Sequence, residues 1–239
     1  MRHSTRASSP VVWSARDLVI ITGTFALAIA IQAALQPAAE RANLEHGVRG
    51  EVFSSLFSIL PTIATACTVV LRAHLRGFTA ADLGLVRPRH WRPAVFAWLI
   101  AVSAGPLTAW SAGTFGAIGR TTLGGRLEAS HLNVATLGIG GLLLVAIELA
   151  VVVPVIEELI FRGVIHRSLR TRWSLFPAAI ASALVFALAH LAPAEVVPLF
   201  IVGFVLAWSC ERSDSLWGAI VPHGGLNALV LLATMAHGR

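Results

Sequence analysis

Apolar residues run along this chain in stretches of roughly 20, separated by short segments where arginine, glycine and proline collect. Seven such stretches stand out, at Asp17–Leu35, Val52–Leu71, Pro93–Ala112, Val134–Ile156, Ser174–Leu191, Val196–Cys210 and Leu216–Met235. About 20 apolar residues are what a helix needs to cross the hydrocarbon core of a bilayer. The pattern predicts an all-α, polytopic transmembrane helical bundle of about seven spans, with six to eight as the range. The sixth stretch is short for a full crossing. Arginines precede the first stretch, but its apolar run exceeds the 7–15 residues of a signal peptide, so it is expected to remain as a helix.

Composition agrees with a lipid-embedded chain. Of 239 residues, 56% are hydrophobic and 13% charged, with a mean hydropathy of +0.77. A soluble domain carries about 25% charged residues. The formal charge of +6 therefore does not point to nucleic acid, and disorder is excluded by the hydrophobicity. Cys67 and Cys210 both fall in apolar stretches without ligand spacing and read as packing residues.

All 18 basic residues are arginines, and their placement orients the chain. With the N-terminus in the cytoplasm, 13 of them fall on inside segments and five on outside segments. That satisfies the positive-inside rule and predicts a cytoplasmic N-terminus and an outside C-terminus; the membrane expected is the plasma (cytoplasmic) membrane. The largest inside connection, residues 72–92, carries Trp91 among its arginines and suits an anchor at headgroup level. The organisation expected is N-terminal helices and connection over residues 1–133 and a helical core over 134–239, in one continuous membrane domain.

Ionisable groups at membrane depth are costly and call for a function or a partner. Glu148, Glu157, Glu158, Arg162, His190, Glu195, His223 and Asn227 all lie in the C-terminal half. Glu158 precedes Arg162 by four residues, the order that favours an ion pair on one helix face. Successive residues point about 100° apart, so Glu157 and Glu158 are not expected to share one small site. Pro154 is expected to kink or interrupt the fourth helix. Phe186 and His190 share a face, as do His223 and Asn227. Singly, each of these has a structural explanation: a salt bridge at a helix end, or hydrogen bonds between helices. Their combination on three helices points to a polar, water-accessible site. Glu148 stands nine residues before Glu157, which places it on the opposite face as a structural residue. His166 reads as interfacial, and Glu211 and Asp214 as a solvated loop.

Glu157-Glu158-Leu-Ile-Phe-Arg162, Phe186-Ala-Leu-Ala-His190 and His223-Gly-Gly-Leu-Asn227 resemble, in order, the EExxxR, FxxxH and HxxxN motifs of the CPBP intramembrane proteases (CAAX protease and bacteriocin-processing, or Abi, family). The resemblance covers roughly residues 140–235. It implies a helical, glutamate-type intramembrane endopeptidase with no cofactor and no metal. Transferred residue by residue, Glu157 and His190 would activate water, and His223 and Asn227 would form an oxyanion hole. Glu158, Arg162 and Phe186 would support them. A dry carboxylate is the stronger base, which suits that assignment. The implied partner is a membrane-associated peptide or protein, prenylated CaaX proteins being one class. Two other readings stay open: a zinc-dependent hydrolase using Glu157, His190 and His223, and a non-catalytic immunity or scaffolding protein.

Overall fold

The computed structural model describes residues 12–46, 59–104, 138–190 and 195–237. Among these residues every regular element is helical. Seven helices follow one another: α1 (Ala15–His46), α2 (Leu60–Leu75), α3 (Arg92–Ser103), a long composite α4, then α5 (Leu175–Ala189), α6 (Val196–Ser213) and α7 (Trp217–His237). Each overlaps one apolar stretch of the sequence, and the remainders at 52–58, 105–112, 134–137 and 191 lie outside the described residues.

Among the described residues, three helices are long and apolar enough to cross a membrane: Ile139–Arg170, Val196–Ser213 and Trp217–Ala236. At 1.5 Å per residue, the 16 residues of α2 rise about 24 Å, short of the ~30 Å hydrocarbon core. Large apolar side chains stand exposed on the outer faces, among them Leu143, Leu144, Ile147 and Val151 on α4 and Leu184 and Leu188 on α5. Such belts suit lipid rather than water.

The fourth helix departs most from expectation. It does not end near residue 156 but continues to Arg170. Along it, α-helical Gly138–Ile147, π-helical Glu148–Val152, α-helical Val153–Glu158, π-helical Leu159–His166 and α-helical Arg167–Arg170 follow without a break. Pro154 neither ends nor interrupts it, and the turn just before the proline is wider than an α-turn. The N–H of Val153 reaches back five residues to the carbonyl of Glu148, a π-turn of the kind that concentrates at functional sites.

Helices α1 to α3 are tied to this core. Trp13 Nε1 donates to the Gly163 carbonyl at 3.1 Å. Asp17, fully buried, pairs with Arg72 and with Arg76 Nε at 3.1 Å, joining the start of α1 to the end of α2. The connection after α2 is stitched to the α6–α7 turn. Leu216 N donates to Gly84 O at 2.8 Å and Arg89 N to Ser213 O at 3.0 Å. Within it, Thr79 donates through its hydroxyl at 2.6 Å and its N–H at 2.7 Å to Asp82, which holds that carboxyl below the ordinary aspartate value. The turn into α7 is thus held from the N-terminal half of the chain.

Two polar residues sit differently from their sequence reading. His166 is buried, not interfacial. Glu211 is not in a loop: it stands on the last turns of α6, where Arg170 Nε reaches it at 2.8 Å and His166 Nε2 at 3.3 Å. The packing of α4 on α6 turns both residues inward, which the local sequence does not reveal. Asp214 is the exposed residue of the pair, in the left-handed conformation that ends α6.

Candidate active site

Four residues after Glu158, Arg162 donates Nη1 to Glu158 Oε1 at 2.8 Å. Its Nη2 donates to the Gly203 carbonyl of α6, also at 2.8 Å. Both side chains are fully buried. The expected ion pair is therefore present, but inside the protein rather than on a solvated helix end. Its guanidinium lies over the Phe186 ring, 4.7 Å from the centroid, a cation–π contact that desolvation strengthens. Phe186 in turn meets Phe161 edge-on at 5.0 Å, His190 at 4.6 Å and His223 at 5.9 Å. One aromatic ring thus sets the relative positions of the arginine and both histidines.

His190 caps α5, and its Nδ1 lies 2.7 Å from the Phe186 carbonyl. A carbonyl only accepts, so Nδ1 carries the proton and the Nε2 of the neutral ring is an acceptor. On α7, His223 Nδ1 lies 2.8 Å from Glu158 Oε1, and its Nε2 is 3.8 Å from Glu157 Oε2. The imidazole thus stands between the two carboxylates. Helical geometry turns Glu157 and Glu158 to different edges of this ring. Their side chains do diverge, but a ring with a nitrogen on each edge bridges the angle. At 3.8 Å the Glu157 contact is too long for a hydrogen bond and close enough for charge attraction.

Asn227 solves a problem that Pro154 creates. In the five-residue register of this π-turn, the Leu149 carbonyl would receive the N–H of residue 154, which proline lacks. Asn227 Nδ2 donates to that oxygen at 3.0 Å. One turn earlier on α7, Gly224 lies against the next carbonyl: a Cβ there would come within 2.3 Å of Ala150 O. Glycine at this position is a packing requirement, as small residues are wherever helices approach closely. At Gly225 a Cβ would meet Trp98 Nε1 of α3 at 3.0 Å.

These groups open on one cavity of about 210 Å³. Glu157, His190, His223 and Asn227 all line it, while Glu158 and Arg162 stand behind His223. Glu195 and Glu148 line it too. Glu148 on this wall corrects its placement on the far face of the helix. The π-turn absorbs about one extra residue, which brings Glu148 round by about 100° relative to a uniform α-helix. No motif signals that; only the proline, read as a reason for a wide turn, hints at it. Opposite α4, Phe25 and Ile29 of α1 and Ile59, Pro61 and Thr62 at the start of α2 complete the lining. The N-terminal helices therefore supply one wall. Among the described residues, no three His, Cys, Asp or Glu side chains form a group that could hold a metal ion.

Residues 139–229 match the family described as type II CAAX prenyl endopeptidase, Rce1-like. No match was found among curated proteins or among solved structures. The matched segment contains all three motifs and every polar residue that α4, α5, α6 and α7 bring to the cavity. Over residues 139–229, the chain is similar to the Rce1-like type II CAAX prenyl endopeptidases.

Proposed function

We propose that this protein is an intramembrane endopeptidase, CAAX prenyl protease-like, that hydrolyses a peptide bond near the cytoplasmic face of the plasma membrane. The observation that carries the reading is the meeting of Glu157, His190, His223 and Asn227, from three helices, on one cavity. Its substrate is a membrane-associated peptide or protein, and a prenyl group on it is compatible with the family but not required by the chemistry.

Each side chain has a task in this mechanism. A water in the cavity donates one hydrogen to Glu157 and the other to the free Nε2 of His190, leaving its lone pair to attack the scissile carbonyl. Glu157 takes the proton as the C–O bond forms. The oxyanion accepts from His223 Nε2 and from the second amide hydrogen of Asn227, its first being held by Leu149. Because Nδ1 of His223 faces Glu158, Nε2 donates only when the ring is an imidazolium with a proton on each nitrogen. The chain Arg162, Glu158, His223, Glu157 then alternates in sign, and each charge has an opposite neighbour. Such donors, preorganised in a dry site, are worth about 2.7–4 kcal/mol apiece. Glu157 finally delivers its proton to the leaving nitrogen as the C–N bond breaks, giving one new carboxylic acid, which keeps the water's second hydrogen, and one new amine.

Purified protein in nanodiscs, incubated with labelled membrane peptides, tests this. The expected result is a new N-terminus, seen by mass spectrometry, that Glu157→Gln does not generate. A panel from which no Glu157-dependent product appears contradicts the reading.

A further inference from the structure

One face of α4, carrying Leu149, Val153, Glu157 and Ile160, lines the cavity along its length. Glu148, also on the lining and buried, stands at the end of this stripe away from the arginines of residues 162–172. Nine residues separate it from Glu157, a rise of about 13 Å at 1.5 Å per residue. An extended chain covers about 3.3 Å per residue, so the same distance spans about four residues of substrate. The proposed hydrolysis, on which this inference rests, needs an extended segment, since a helix hides its carbonyls behind its own hydrogen bonds. Unwinding a peptide at membrane depth leaves N–H groups without water, and each costs several kcal/mol unless an acceptor replaces the lost bond.

We propose that Glu148 is that acceptor: its carboxylate binds a main-chain N–H of the unwound substrate, about four residues from the scissile bond. A carboxylate offers about four lone-pair positions, so it can keep a partner within the protein and still accept from substrate. The π-turn and the Asn227 bond to Leu149, the adjacent residue, fix its direction. The site would thus select peptides that lie extended along α4, with one strong contact remote from the chemistry. Binding energy gathered there can hold the reacting carbonyl over Glu157.

Ester substitution tests the contact. In a peptide that wild-type protein cleaves, single amides within six residues on either side of the scissile bond are replaced by esters, each removing one N–H. The expected result is one sensitive position, three to five residues from the cut, where kcat/KM falls roughly 10- to 100-fold, the worth of a hydrogen bond to a charged group. Glu148→Leu should lower kcat/KM on the all-amide peptide by a similar factor and be indifferent to that ester. Glu148→Gln, whose amide carbonyl still accepts, should restore the ester sensitivity. A merely structural role for Glu148 would leave the ester effect unchanged in the leucine variant, and that outcome overturns the proposal. A wild-type scan with no sensitive position at that distance overturns it as well, whether or not the variants fold. A wild-type protein that cleaves no peptide overturns the protease reading and this inference together, whereas cleavage without a Glu148-dependent sensitive position overturns this inference alone.

Discussion

Gly224→Ala changes no chemical group in the site, yet it should disable it. The added Cβ would sit 2.3 Å from the Ala150 carbonyl oxygen, against a comfortable C···O separation of about 3.3 Å. That oxygen is backbone, held in a helix close to a proline, so α7 has to move by about 1 Å. That shift carries His223 away from Glu158, where it now sits at 2.8 Å, and Asn227 away from Leu149. Overpacking of this kind costs about 1–3 kcal/mol in stability, while misplacing a catalytic group by 1 Å can cost about 10²-fold in rate. Thermal unfolding in detergent and turnover on a cleavable membrane peptide measure the two separately. Activity should fall by about two orders of magnitude while the protein still folds. A Gly224→Ala variant with wild-type turnover would mean that the α4–α7 contact does not hold the histidine in place.

Three further outcomes follow. Glu158→Gln removes the charge that faces both Arg162 and His223, and breaking a buried pair costs about 3–5 kcal/mol; expression or melting temperature should drop along with turnover, and a variant as stable as wild type would show the pair to be dispensable. With Cys67 and Cys210 replaced, a single cysteine at Ala80 should resist an impermeant reagent added outside intact cells, because nine of the 13 inside arginines lie at 72–92 and 162–172; labelling from outside would reverse the orientation. Activity should survive strong chelation, since among the described residues no three His, Cys, Asp or Glu side chains form a group that could hold a metal ion; one tightly held zinc per chain, with loss of turnover on its removal, would favour the metal reading instead.

Much of this site is written locally. Glu158 and Arg162 pair because four residues make one turn, and the same spacing puts Phe186 beneath His190. The helices were legible as apolar stretches because lipid asks only for length and hydropathy. What escaped was set by helix winding and by contacts between helices. A count of 100° steps puts Glu148 on the far face, and a π-turn undoes that count without any residue type to announce it. Pro154 reads as a break, yet Asn227, 73 residues later in the chain, takes over the bond that the proline cannot make. His166 and Glu211 read as surface residues because each sits among charged neighbours in sequence, and only the packing of α4 on α6 buries the histidine. The bridging of two adjacent glutamates by one imidazole likewise depends on α7 and could not be read from α4 alone.

The central claim is that Glu157, rather than its neighbour, is the base. Turnover of Glu157→Gln, measured beside its melting temperature, tests it most directly. The glutamine keeps the shape and the hydrogen bonding but cannot take a proton, so hydrolysis should fall to background with the fold intact. Normal cleavage by Glu157→Gln, alongside a well-folded but inactive Glu158→Gln, would show that the two carboxylates have the opposite roles.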